Sequence, residues 1–207
     1  MGLFSQRQAG APQDQRSLLT NQYNAGRNNL LLVAIFTIVN VILLITNSDL
    51  YFLFSASLPY MIADIFMDIC GMYPAEYYEY WYEVSSVSEL EFLPVSVFIA
   101  GIAIAFIFAL VYILFYFLSK NGKAPWLIAS LVFFCIDTLV MFIWYGFSLS
   151  NLIDILFHVW VIVILSMAIR AHFKLKALSN EESVANSTFD NGADAVEVSS
   201  EESDNEE

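Results

Sequence analysis

The sequence predicts an all-α integral membrane protein: a four-helix bundle with an outer interfacial helix and a disordered acidic C-terminal tail. Three observations predict it. Hydrophobic residues make up 58% of the 207 positions and charged residues 14%, whereas soluble domains carry roughly a quarter charged residues. Four apolar runs are each close to the length of about 20 residues that crosses about 30 Å of hydrocarbon. All eight Lys and Arg residues fall beside the ends of those runs, on one side of a chain that crosses four times.

The elements follow in order. Residues 1–28 are polar, include Arg7, Arg16 and Arg27, and are expected to form a cytoplasmic N-terminus. No cleavable signal peptide is expected, because the first apolar run is long and no small-residue cleavage pattern follows it. "MGLFSQ" also lacks the Ser or Thr that myristoylation needs at Gln6. The four predicted spans are residues 29–46, 93–118, 124–147 and 149–171, which together define a membrane domain over 29–171. Asn28 or Asn29 can cap the first of them.

The outer loop, 47–92, holds a fifth apolar stretch, 50–70, interrupted by Pro59, Asp64 and Asp68. As a crossing it would put three basic residues on one side and five on the other, whereas four crossings give eight and none. The positive-inside rule therefore rejects it as a span and makes both termini cytoplasmic in a cell membrane. Read as a helix over about 58–70, the stretch has Leu58, Ile62, Ile65 and Ile69 on one face. Ser57, Asp64 and Asp68 lie on another, with Pro59 in the first turn and Gly71 past the end. Such a helix is expected to lie in the outer interface. The Tyr- and Glu-rich run that follows, 73–92, is expected to anchor at headgroups.

Residues 172–207 form the expected cytoplasmic tail. Ten of the 21 acidic residues lie in its last 29 positions, which contain no Lys or Arg. From about Ser179 it has too few large apolar side chains to order itself, so disorder is expected. Cys70 and Cys135 are too few for a disulfide framework.

Within the second span, Gly101, Ala105 and Ala109 recur at four-residue spacing. Small residues on one face let helices approach closely in lipid. They are the predicted helix-packing residues and a candidate surface for self-association.

The third and fourth spans are joined by a tight turn, so Asp137 and His158 are almost equally far from it, at a depth of about 15 Å. Asn40, with Thr37 one turn away, reaches a similar depth on the first span. Asp154 lies one turn above His158 on the same face. Ionisable groups at such depth are costly and are expected to point inward and pair. Asn40, Asp137, Asp154 and His158 thus form the candidate polar or ion site. One use is interhelical adhesion, at about 1 kcal/mol per hydrogen bond; another is a proton or cation relay.

An enzyme is not expected. The chain contains no H-E-x-x-H, G-x-S-x-G, P-loop or G-x-G-x-x-G pattern. His172 lies a span's length from His158, which excludes a multi-histidine metal centre, and no catalytic residue, metal or cofactor is assigned. The expected partners are the lipid bilayer and either a second copy or another membrane protein; no nucleic acid is implied. The sequence therefore favours a non-enzymatic accessory or assembly subunit, with a small oligomeric proton- or cation-coupled carrier as the alternative and an intramembrane enzyme as the second.

The run "NQYNAGRNNLLLVAIFTIVNVILLITNSDLYFLFSASLPYMI", Asn21 to Ile62, resembles the N-terminal part of uncharacterised small multi-span bacterial membrane proteins. In these an "NLLL" span start is paired with a "YFLFSA" stretch just beyond. The resemblance covers about a fifth of the chain and implies a bacterial membrane, with no activity attached.

Overall fold

The computed structural model describes residues 12–48, 50–147 and 151–201, with side chains between 14 and 184. Among the described residues there are six α-helices: α1 (Pro12–Ile45), α2 (Ser57–Ile69), α3 (Ala75–Trp81), α4 (Val95–Leu118), α5 (Ala124–Tyr145) and α6 (Leu152–Glu201). Short 3-10 turns lie at Val87–Glu89 and Lys120–Gly122, and the described residues contain no strand. Stretches of α1, α4, α5 and α6 are long and apolar enough to cross a membrane. The chain is therefore a multi-pass membrane protein built on four helices.

The four long helices alternate in direction. The loop between α1 and α4 lies at one end, here the loop end, and the turn between α4 and α5 lies at the other, the basic end. That turn is tight because Asn121 and Gly122 both take positive φ, 60° and 72°, a conformation most open to Asn and Gly. Pro125 then starts α5 within its first turn, where its missing N–H costs nothing.

Helix α1 is longer than the expected span and begins at Pro12 rather than near Asn29. Its early part is polar on most sides, yet Leu19, Tyr23, Leu30 and Val33 are buried, a stripe at helical spacing that faces α6. Gly26 belongs to the same face: a Cβ there would lie 2.3 Å from the Cβ of Ala168. The two backbones therefore touch where only glycine fits, and Tyr23 fixes the depth by donating a 2.6 Å hydrogen bond to the Ser119 carbonyl. Arg27 completes the basic end. It donates to the Tyr116 carbonyl at 3.2 Å and to Ser119 Oγ at 3.2 Å, with its guanidinium 5.0 Å from the Tyr116 ring centroid.

The expected helix at 58–70 is present as α2, and it adds no fifth crossing. Its placement differs from the flat interfacial one. The N-terminus of α2 sits beside Thr37 and Asp137, each eight residues below the loop-end limit of its own helix, a depth of about 12 Å. From there α2 rises to the loop end, where the Leu93 N–H donates to the Ile69 carbonyl at 2.9 Å. Residues 50–69 are a re-entrant arm, in and out on the same side. The physical reason is that Ser57, Pro59, Met61, Ala63 and Met67 find buried partners inside the bundle, and polar groups of α1 and α5 satisfy the arm's backbone. Irregular backbone at membrane depth requires that kind of internal satisfaction.

Gly71, at φ 70°, ends α2 as the sequence expects. The Met72 N–H reaches the Met67 carbonyl at 2.9 Å and the Gly71 N–H the Asp68 carbonyl at 3.1 Å, the paired closure of a Schellman motif.

The stripe Gly101, Ala105 and Ala109 is buried, as a packing face should be. Its partners lie in the same chain: Ala105 packs with Val41, Leu44, Ala63 and Met67 of α1 and α2, so Gly101 and Ala105 are occupied and do not offer a free surface to a second copy. A Cβ on Gly101 would fall 2.0 Å from Cγ of Phe66. Gly101→Val should therefore push α2 away from α4 and cost about 1–3 kcal/mol, measured as a lower Tm in nanodiscs. Phe66→Ala in the same chain should recover part of the loss; if the single variant melts like the wild type, the close approach is not real.

α6 is described to Glu201, and its part beyond Ser179 is the acidic tail whose composition predicts disorder. Up to Val184, the polar side chains of this part make one ion pair with α1, Arg16 to Glu182 at 3.0 Å, both exposed. The expectations for residues 1–11, 148–150 and 202–207 lie outside the described residues.

Candidate functional site

The site is built around one problem: the first N–H groups of a helix have no partner within it, and those of α2 are buried in the bundle. Ala56, the residue before α2, has no side chain that could cap it. Neighbouring helices supply the acceptors instead. The Ala56 N–H donates to Thr37 Oγ1 of α1 at 2.7 Å, and Thr37 passes its own hydroxyl hydrogen to the Val33 carbonyl at 2.7 Å. The Ser57 and Leu58 N–H groups donate to Oδ2 and Oδ1 of Asp137 on α5, at 3.0 and 2.7 Å. The next residue, Pro59, has no N–H to satisfy. A carboxylate 80 positions away in sequence from Ser57 thus does the work of an N-cap.

Asn40 holds the arm just before α2. Its Nδ2 donates to the Phe52 carbonyl at 2.6 Å and to Ser55 Oγ at 2.8 Å, and its Oδ1 accepts from the Phe52 N–H at 2.8 Å. Near this anchor the chain turns at Phe54, whose φ of 76° is unusual for a bulky residue. The Phe54 ring is held edge-on to Phe157 at 4.7 Å.

His158 on α6 closes the cluster. Its Nδ1 faces the Asp154 carbonyl at 2.8 Å; a carbonyl only accepts, so Nδ1 carries a hydrogen. Its Nε2 lies 3.2 Å from Asp137 Oδ2 and 3.3 Å from Ser57 Oγ. Two bare acceptors would repel at 3.2 Å, so a proton lies between Nε2 and Oδ2. Asp137 also accepts from two N–H groups at the N-terminus of α2, so one carboxyl group ties that helix end to His158. Phe134 stacks on the imidazole at 5.1 Å. Asp137 and His158 are 1% and 2% exposed.

Of the four expected site residues, the structure brings Asp137 and His158 into direct contact. Asn40 serves the same arm from α1 and reaches the pair through residues 52–57. Asp154 touches His158 through its backbone carbonyl; its carboxylate lines a separate cavity of about 180 Å³, with Tyr51, Ser57, Tyr60, Met141, Tyr145 and Asn151. Ser57 belongs to both, since it lines the cavity and contacts His158. Sequence reasoning placed Thr37 beside Asn40 but missed Ser55, Ser57 and the three tyrosines. Their signal was faint: a Ser-Ala-Ser run ahead of Pro59 reads as a helix start but does not say whose acceptors complete it.

Nearer the loop end, Asp64 of α2 accepts a hydrogen bond from the Tyr73 hydroxyl. Burial pushes its carboxyl above the usual carboxylate range, the Tyr73 bond opposes this, and Asp68 adds to it. A carboxyl raised on folding binds its proton more tightly in the folded state. Its contribution to stability is therefore full below the unfolded value and lost as pH rises through the folded one. Asp64→Asn keeps an acceptor for Tyr73 and should be the more stable protein at pH 7, with the advantage vanishing on acidification. A Tm series against pH checks this; a variant less stable than wild type at pH 7 would show that ionised Asp64 is favourable.

Together, four apolar helices and an internally capped re-entrant arm define a multi-pass membrane protein with a buried polar cluster near its loop end. The chain matches no family model, and no curated protein or solved structure is significantly similar to it.

Proposed function

We propose that the protein is a non-enzymatic accessory or assembly subunit of a membrane complex, with both termini cytoplasmic and the loop end facing outward. The observation that carries this reading is how the polar atoms of the cluster are used: Asn40 and Asp137 direct their hydrogen bonds to the re-entrant arm, and His158, held by the Asp154 carbonyl of its own helix, reaches the arm at Ser57 Oγ. A relay needs a group free to exchange its proton, whereas these groups act as braces.

What they brace is a surface. The arm carries α3: the buried Tyr78 hydroxyl lies 3.1 Å from both the Met67 and Asp68 carbonyls at the end of α2, and Tyr82 donates to Asp68 at 2.7 Å. Tyr80, Trp81, Glu76 and Glu79 remain exposed on α3, an aromatic and acidic face suited to a partner's extramembrane loop. Extraction from its own membrane in mild detergent should give a species well above the 23.4 kDa chain and its micelle. The double variant Tyr80→Ala, Trp81→Ala should lose that mass with its Tm unchanged. A chain recovered only as a monomer would overturn the reading.

A second reading, a small oligomeric proton- or cation-coupled carrier, is favoured by Ser57, which lines the cavity and contacts His158. It requires cation-dependent flux in proteoliposomes.

A further inference from the structure

The cavity at the loop end has a chemistry that the bracing cluster does not use. Asp154 is half-buried in its wall; among the described residues its carboxylate has no hydrogen-bond partner, and the one opposite charge it feels is that of His158, a turn further along α6. Around it stand three phenol rings, Tyr51, Tyr60 and Tyr145. Tyr51 and Tyr60 meet edge to face at 5.3 Å, so the two rings present differently oriented surfaces. The Tyr51 hydroxyl is bonded to Ser55 Oγ at 3.1 Å, and burial pushes its phenol up to about 12, which keeps it neutral.

The surrounding charge has one sign. No Lys or Arg occurs between Arg27 and Lys120 or between Lys123 and Arg170. The nearest basic side chain, His158, is bonded to Asp137 at 3.2 Å, so behind Ser57 it is shared with a second carboxyl group and offsets the Asp154 charge only in part. Asp64 adds to the negative field on the Tyr60 side.

A carboxylate without a hydrogen-bond partner among aromatic faces suits a cation that is weakly hydrated and can lie against rings. A divalent metal is a poor match, because no group of three or more His, Cys, Asp or Glu ligands exists among the described residues. A volume of about 180 Å³ corresponds to about six waters at about 30 Å³ each, which suits a small ammonium group with a short substituent.

We propose that this cavity binds the ammonium group of a small organic amine, with Asp154 as its counter-ion and Tyr51, Tyr60 and Tyr145 as its walls. The site stands whichever of the two functional readings holds. The ammonium can belong to a soluble amine or to an aminolipid headgroup, since both present the same chemistry.

The test is thermal stabilisation of the full chain in nanodiscs of anionic lipid, titrated with choline and with ethanolamine. The expected result is a saturable rise in Tm for at least one of them that sodium chloride at equal ionic strength does not reproduce. Asp154→Asn should weaken the apparent affinity at least tenfold, while Asp154→Glu, which keeps the charge, should retain most of it. A lipid source would instead give no response to either soluble amine, but a higher Tm in phosphatidylethanolamine than in phosphatidylglycerol nanodiscs that Asp154→Asn abolishes. If no arm depends on Asp154, or if sodium chloride matches the amines, the proposal is overturned. An Asp154→Asn protein that melts as the wild type does without ligand separates lost binding from lost folding.

Discussion

Asp137→Leu should be the most damaging single change in the transmembrane region. It removes both acceptors that close the N-terminus of α2 and leaves the Ser57 and Leu58 N–H groups buried without partners. It also removes the carboxyl partner of His158 Nε2. Removing one member of a buried ion pair costs about 3–5 kcal/mol, and unsatisfied buried donors cost about 1–3 kcal/mol each. These losses overlap, so a fall in Tm on the order of 10 °C is expected for a chain this size, measured in nanodiscs. Asp137→Asn should fall between, because the amide oxygen can still accept from one N–H while its NH2 group cannot. A leucine variant as stable as the wild type would mean that the carboxylate is kept for chemistry, and the relay reading would then displace the bracing one.

Asn40→Leu is the second, and its effect should be local. Three hydrogen bonds to the arm disappear, and both backbone groups of Phe52 lose this partner. Leucine has a similar volume, so the loss is one of polar satisfaction more than of packing, about 2–4 kcal/mol in all. Amide exchange provides the specific readout: the Phe52 N–H is bonded to Asn40 Oδ1, and its protection should collapse together with that of Ala56 to Leu58. Protection in α4 and in the core of α5 should hold. Exchange that rises uniformly across the bundle would show that the arm and bundle unfold as one unit. The cavity beside Asp154 should be lost with the arm, because Tyr51, Ser57 and Tyr60 are carried on it.

The two variants attack the same structure from opposite sides, α1 and α5. They converge on residues 52–58, and their effects should be less than additive, since either alone frees the arm.

Much of this protein was legible in one dimension. The number of crossings follows from the apolar run lengths, because lipid offers no partner to a backbone and only continuous helices of sufficient length can cross. That Asn40, Asp137 and His158 turn inward follows from the cost of polar groups at membrane depth, and all three are buried. That Gly101 must meet a neighbour closely follows from its missing side chain. The early part of α1 was hidden because the stripe through Leu19 and Tyr23 lies among polar residues, and its partner, Ala168, is more than 140 positions away.

What the tertiary structure alone decided is which partner each polar atom has. Sequence spacing puts Asp137 on an inner face at a given level, but it cannot reveal that the group waiting there is a helix N-terminus from another segment. It likewise assigns Asn40 to the level of His158, although Asn40 binds the backbone of Phe52 instead, and it groups Asp154 with His158, although the Asp154 carboxylate turns to a separate cavity. Crossing a membrane is a property of each segment and its own composition, so sequence determines it. Hydrogen bonding at the end of a re-entrant helix depends on three segments meeting within about 3 Å, and only the folded chain fixes that.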